Sequence, residues 1–86
     1  MPEITIYTMG FCPFCYHAKK LLDSKGANYD EIDVNSVPGA RNEMMQRSMG
    51  GSTVPQIFID DAHIGGCDEL LALDHKGGLD PLLQAG

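Results

Sequence analysis

A chain of 86 residues makes one domain, residues 1–86, because domains typically run to about 100–200 residues and no second core fits beside the first. With 43% hydrophobic and 21% charged residues, the composition is that of a globular protein and excludes disorder, collagen-like and coiled-coil arrays. A formal charge of -6 argues against a non-specific nucleic-acid or anionic-membrane binder, both of which need a basic face, so any bound anion must be caught locally.

In chain order, Glu3 to Thr8 reads as a short strand carrying Ile4 and Ile6. After Gly10, the residues Phe14, Ala18, Leu21 and Leu22 fall at helical spacing. Pro13 suits a first helical position and Gly26 a left-handed stop, which predicts a helix over Pro13 to Lys25. Tyr29 to Val34 forms a second strand, completing a βαβ unit with parallel strands. A second helix carries Ala40, Met44, Met45 and Ser48 or Met49 and ends at Gly50-Gly51, with the methionines as core filler. Gln56 to Ile59 and Ala62 to Ile64 make a hairpin through Asp60-Asp61. A third helix follows Gly65-Gly66 with Leu70, Leu71 and Leu73 on its buried side and Lys76 in its last turn; Leu79, Leu82 and Leu83 of the tail dock on the body. The expected architecture is α/β, a four-stranded mixed sheet flanked by three helices in the order β-α-β-α-β-β-α.

Three cysteines carry more information than the charge. Two form Cys12-Pro13-Phe14-Cys15 and one stands alone at Cys67, unlike the denser, even set of a secreted disulfide scaffold. No signal peptide and no stretch of about 18 apolar residues is visible, so a reducing cytoplasm is the expected address. Cys12 precedes the helix and Cys15 lies in its first turn, so the sulfurs share a face within disulfide reach. Free N–H groups and the positive end of the helix favour a thiolate at Cys12. Cys12 then attacks and Cys15, the less exposed thiol, resolves. A structural zinc site would need four ligands, and Cys67, His17, His63 and His75 offer no matching pair; no metal is expected.

Two other stretches stand out. Thr53-Val54-Pro55 opens a core strand with a proline, and Gly65-Gly66-Cys67-Asp68 precedes a helix. Asp68 serves there as an N-cap, or the two glycines admit a ligand whose carboxylate meets free helix N–H groups while Asp68 accepts from an ammonium. Taken together, Tyr7-Thr8, the Cys-Pro-Phe-Cys segment, Thr53 to Ile59 and Gly65 to Leu70 resemble the short dithiol glutaredoxins, and Gly77 to Leu82 resembles their bacterial glutaredoxin 3 group. The resemblance spans nearly the whole chain. It implies a thioredoxin-like fold with Pro55 in cis, and glutathione as co-substrate with no bound cofactor. It implies further that Phe14, Thr53, Val54, Pro55, Gly66, Cys67 and Asp68 form the glutathione site, the Val54 backbone pairing with the cysteinyl part and Cys67 and Asp68 holding the γ-glutamyl end.

Two departures from the family pattern bear on this. Phe14 stands where the family usually has Tyr, and Met9 where it usually has Lys, removing a partner for the glycyl carboxylate and a cation near Cys12. Gln56, Arg41 or Arg47 could replace that contact; Lys19, Lys20 and His17 read as solvent-facing. The expected function is a glutathione-dependent reductase of protein disulfides and protein-glutathione mixed disulfides, working as a monomer; glutaredoxins as a class lie at about -200 to -230 mV, which suits drawing electrons from glutathione. Two alternatives compete with it: an iron-sulfur carrier in which two chains share a cluster through Cys12 and two glutathiones, and a redoxin served by thioredoxin reductase. Pro13 and the intact Cys15 speak against the first, the Gly-Gly-Cys-Asp segment against the second.

Overall fold

A computed structural model describes residues 2–84; Met1, Ala85 and Gly86 of the expected 1–86 domain lie outside the described residues. The strands are β1 (Ile4–Thr8), β2 (Asp30–Asp33), β3 (Gln56–Ile59) and β4 (Ala62–Gly65), in the sheet order β2-β1-β3-β4. β1 runs parallel to β2 and antiparallel to β3, which forms the expected hairpin with β4. The helices are α1 (Pro13–Ser24), α2 (Ala40–Arg47), α3 (Cys67–His75) and α4 (Leu79–Gln84). The tail therefore adds a fourth helix to the three expected. Leu79 is buried and Leu83 partly so, while Leu82 faces solvent.

Alternation along the central strands builds two cores, one on each sheet face. Ile4, Ile6, Ile57 and Ile59 meet Ala18 and Leu22 of α1, Leu70 of α3 and Leu79. Tyr7 and Phe58 meet Val34 and Ala40 and Met44 of α2. Because both faces are covered, all five β1 residues are buried, polar Thr5 and Thr8 included.

Three expectations fail for local reasons. Leu71 is exposed because Leu70 takes the sheet-facing position and the next residue lies about 100° further round the helix. Met49 is 95% exposed: α2 ends at Arg47, so Met49 falls in the turn beyond it, leaving Met44 in the core and Met45 at its edge. Asp68 is not the cap of α3. Gly66 holds that position, and its N–H donates to Glu69 Oε1 at 2.7 Å, a backward-reaching carboxylate that satisfies one free donor. The end of α1 is tied down by Lys25, whose Nζ lies 2.8 Å from Asp74 of α3 and 2.9 Å from Asp80 of α4.

Candidate active site

Cys12 is the N-cap of α1, extended at φ -112° and ψ 104°, with Pro13 supplying the first helical residue. Its Sγ accepts the Cys15 N–H at 3.2 Å, so a sulfur does the work that a Ser or Asp oxygen usually does at a helix start. The same Sγ lies 4.0 Å from the Val54 carbonyl oxygen, which brings the loop before β3 against the first turn of α1. The Val54–Pro55 bond is cis, as the resemblance implied.

The two thiols are unequal. Cys12 is half-buried and Cys15 is 2% exposed. Burial first, and then its hydrogen bond to Cys12, push the Cys15 thiol up to about 12. Cys67 is buried at the first residue of α3, and burial followed by the nearby Asp68 carboxylate raises its pKa as well. Iodoacetamide at pH 8 is therefore expected to label Cys12 and spare Cys15 and Cys67, which peptide mass mapping after a brief pulse would read. Labelling of Cys15 first would reverse the assignment of roles.

Phe14, Thr53, Val54, Pro55, Gly66, Cys67 and Asp68 converge on one groove of about 310 Å³, with Glu69 as an eighth lining residue. Glu69 was not singled out from the sequence, although its spacing of three residues from Gly66 is a helix-start signal. It also crowds the glycines. A Cβ on Gly65, whose φ is +118°, would meet Glu69 side-chain atoms at 2.8–2.9 Å, and one on Gly66 would sit 3.3 Å from the Pro55 carbonyl.

None of the described residues lining this groove is Lys or Arg, and the three expected substitutes for the missing lysine are engaged elsewhere. Arg47 lies over the Phe58 ring at 4.2 Å, donates to the Tyr7 hydroxyl at 3.0 Å and pairs with Asp61 at 3.2 Å. Tyr7 in turn donates to Glu43. Arg41 donates to Asn35. Gln56 is buried; its Nε2 donates to the Thr53 carbonyl at 3.0 Å and to Thr53 Oγ1 at 3.3 Å, while His63 Nε2 meets its Oε1 at 2.7 Å. Gln56 thus braces the loop that carries Thr53 and Val54, a positioning role that its strand-edge place in the sequence did not suggest.

A second cleft, of about 530 Å³, lies on another side of Cys12 and includes Met9, Phe11, Cys15, Lys19, Glu31 and Asp33. Lys19 is not a free surface charge: its Nζ sits 3.0 Å from Glu31 Oε2, which also accepts from Thr8 Oγ1 at 2.8 Å. Burial by itself would raise the Glu31 pKa, but the Thr8 hydrogen bond and the Lys19 ammonium together hold it below its ordinary value. Among the described residues no group of three or more His, Cys, Asp or Glu is placed to hold a metal ion, and no helix is long and apolar enough to cross a membrane.

The glutaredoxin family model matches residues 4–64. Glutaredoxin 3 of Escherichia coli (strain K12) is 55% identical over 84 residues, covering 98% of this chain and 100% of its own length. The solution structure of a glutaredoxin from Brucella melitensis superposes with a TM-score of 0.83 at 50% identity, covering 98% of this chain and 90% of that one. A crystal structure of a buckwheat glutaredoxin–glutathione complex superposes with a TM-score of 0.87 at 32% identity, covering 95% and 76%. With a family match over most of its length and relatives that align end to end, the chain belongs to the glutaredoxins, glutathione-dependent thiol-disulfide oxidoreductases of thioredoxin-like fold.

Proposed function

We propose that this chain works as one domain and one copy, with Cys12 as the nucleophile and glutathione lying in the groove between Thr53-Val54 and Gly66-Cys67-Asp68. The observation that carries the reading is the position of Cys12 Sγ, held by the Cys15 N–H and facing Val54 at the edge of that groove. The Cys12 thiolate attacks the glutathionyl sulfur of a mixed disulfide. The old S–S bond breaks, the substrate sulfur leaves with the electron pair and takes up a proton, and Cys12 carries glutathione. A second glutathione then attacks the bound glutathionyl sulfur, releasing glutathione disulfide and the Cys12 thiolate. For a protein disulfide, Cys12 first bonds one substrate sulfur, and Cys15 displaces it by closing the Cys12–Cys15 bond. The oxidised pair is reset by glutathione. Such exchange suits a reducing compartment such as the cytoplasm.

Without a lysine or arginine in the groove, the glutathione carboxylates depend on uncharged donors. The Thr53 hydroxyl already accepts from Gln56 and so has its hydrogen to give. The first turn of α3 offers N–H groups at the positive end of a helix dipole, and exposed Asp68 faces the γ-glutamyl ammonium. Asp68→Ala is expected to lower kcat/KM for a glutathione mixed disulfide about tenfold, the scale of one lost hydrogen bond to a charged group. The corresponding mixed disulfide of cysteinylglycine, which lacks the γ-glutamyl group, should react equally with both proteins. An equal fall for both substrates in steady-state kinetics would remove Asp68 from the site.

A further inference from the structure

The second cleft beside Cys12 enters the glutathione reading only through Met9, where the family's usual lysine is missing, and its lining is distinctive. Phe11 sits at φ 56°, the left-handed region, which costs a residue with a Cβ about 1–2 kcal/mol. A bulky side chain there is unusual, and in a protein it is held only where the surroundings impose it. Its ring gains no packing in return, being fully exposed at 108%, with Tyr16 at 55% and Met9 at 37% beside the same cleft. The polar wall is made by Lys19, Glu31 and Asp33. The ammonium of Lys19 is already held by Glu31, so two carboxylates against one paired ammonium leave the cleft negative. An anion such as a second glutathione is disfavoured in it.

A disulfide substrate bonded to Cys12 Sγ must lead its chain away from that atom, and the groove at Thr53 and Val54 is assigned to glutathione. We propose that the second cleft docks the polypeptide beside a substrate disulfide, taking an apolar side chain against Met9, Phe11 and Tyr16 and a lysine or arginine at Asp33 and Glu31. The proposal rests on Cys12 being the nucleophile. Contact with the exposed rings removes apolar surface from water, while the carboxylates select the charge of the neighbouring residue. Phe11 and Asp33 are then specificity residues for protein disulfides and are indifferent to small ones.

Glutathione-coupled turnover of three probes tests this: a disulfide-closed peptide with Leu-Lys beside one cysteine, the same peptide with Ser-Glu, and the mixed disulfide of glutathione with 2-mercaptoethanol. The intact chain is expected to favour Leu-Lys over Ser-Glu about tenfold in kcat/KM. Phe11→Asn, chosen because Asn tolerates the left-handed turn, should remove most of that preference. Asp33→Asn keeps the Oδ1 that accepts the Asn35 N–H at 2.8 Å and should remove part of the Leu-Lys preference, the part carried by charge. Both variants should turn over the small mixed disulfide within about twofold of the parent, since neither side chain meets so small a substrate. Equal rates on the two peptides in the parent, or an equal loss on peptide and small disulfide in Phe11→Asn, would overturn the docking proposal. Turnover of the small mixed disulfide that survives Cys12→Ser would sink the nucleophile assignment and the proposal with it.

Discussion

Replacing Cys12 by serine is expected to abolish glutathione-dependent turnover, a loss of about three orders of magnitude or more, because a hydroxyl at neutral pH supplies almost no anion to attack sulfur. Serine keeps the helix cap, since its oxygen can accept the Cys15 N–H that the sulfur accepts now, so the fold should survive. Cys15→Ser has a different expected outcome. Reduction of glutathione mixed disulfides persists, because a second glutathione releases Cys12, whereas reduction of protein disulfides falls because no resolving thiol remains. The expected asymmetry rests on position: Cys15 is buried and its thiol is pushed up to about 12, which leaves half-buried Cys12 as the more accessible sulfur. Steady-state rates of the two variants on a mixed disulfide and on a protein disulfide distinguish these roles. Equal losses in both variants on both substrates would contradict them.

The largest stability effect is expected at Phe58. This side chain is 1% exposed in β3, meets Tyr7 edge-on with ring centroids 5.7 Å apart, stacks on His63 at 5.0 Å and lies under the Arg47 guanidinium. Phe58→Ala is expected to cost about 3–5 kcal/mol, from lost burial plus the cavity left under α2. Small domains have total stabilities of about 5–15 kcal/mol, so the variant should be partly unfolded near body temperature. Phe58→Leu should cost less, since it retains most of the volume. Urea denaturation followed by circular dichroism compares the two, and a loss below about 1 kcal/mol for the alanine variant would mean that α2 closes over the gap. Function should fall in step with folding in this case, because β3 follows directly on the Thr53 to Pro55 loop.

The sequence was most informative where the cause is local. Pro13 at the first helical position, Gly26 at φ 68° after the last turn, and the Asp60-Asp61 hairpin all appear where spacing placed them. β3 matches residue for residue, and β1, α1, β2 and β4 differ by a residue at one end or both. The tail helix went unread because its six residues carry leucines but no stop or start signal strong enough to separate helix from docked coil. An apolar residue marks only a candidate for burial: Leu71 faces solvent because the position of the sheet relative to α3 turns Leu70 inward, and Met49 because α2 stops at Arg47, two residues before it.

The chain by itself determined the chemistry: a Cys-Pro-Phe-Cys segment at a helix start puts one sulfur on free N–H groups and the second a turn deeper, and both consequences follow from helix geometry within four residues. Tertiary structure decided what surrounds that chemistry. Residues some forty and fifty-five positions away reach Cys12 only because β3 lies beside β1 and α3 packs against α1. The same packing commits Arg47 to Tyr7 and Phe58 and Lys19 to Glu31, so two cations that composition counted as available are taken by partners distant in the chain. A charge of -6 is a property of the sequence. Which charges remain free to meet a ligand is a property of the fold, because an ion pair forms only where the backbone has already placed both groups.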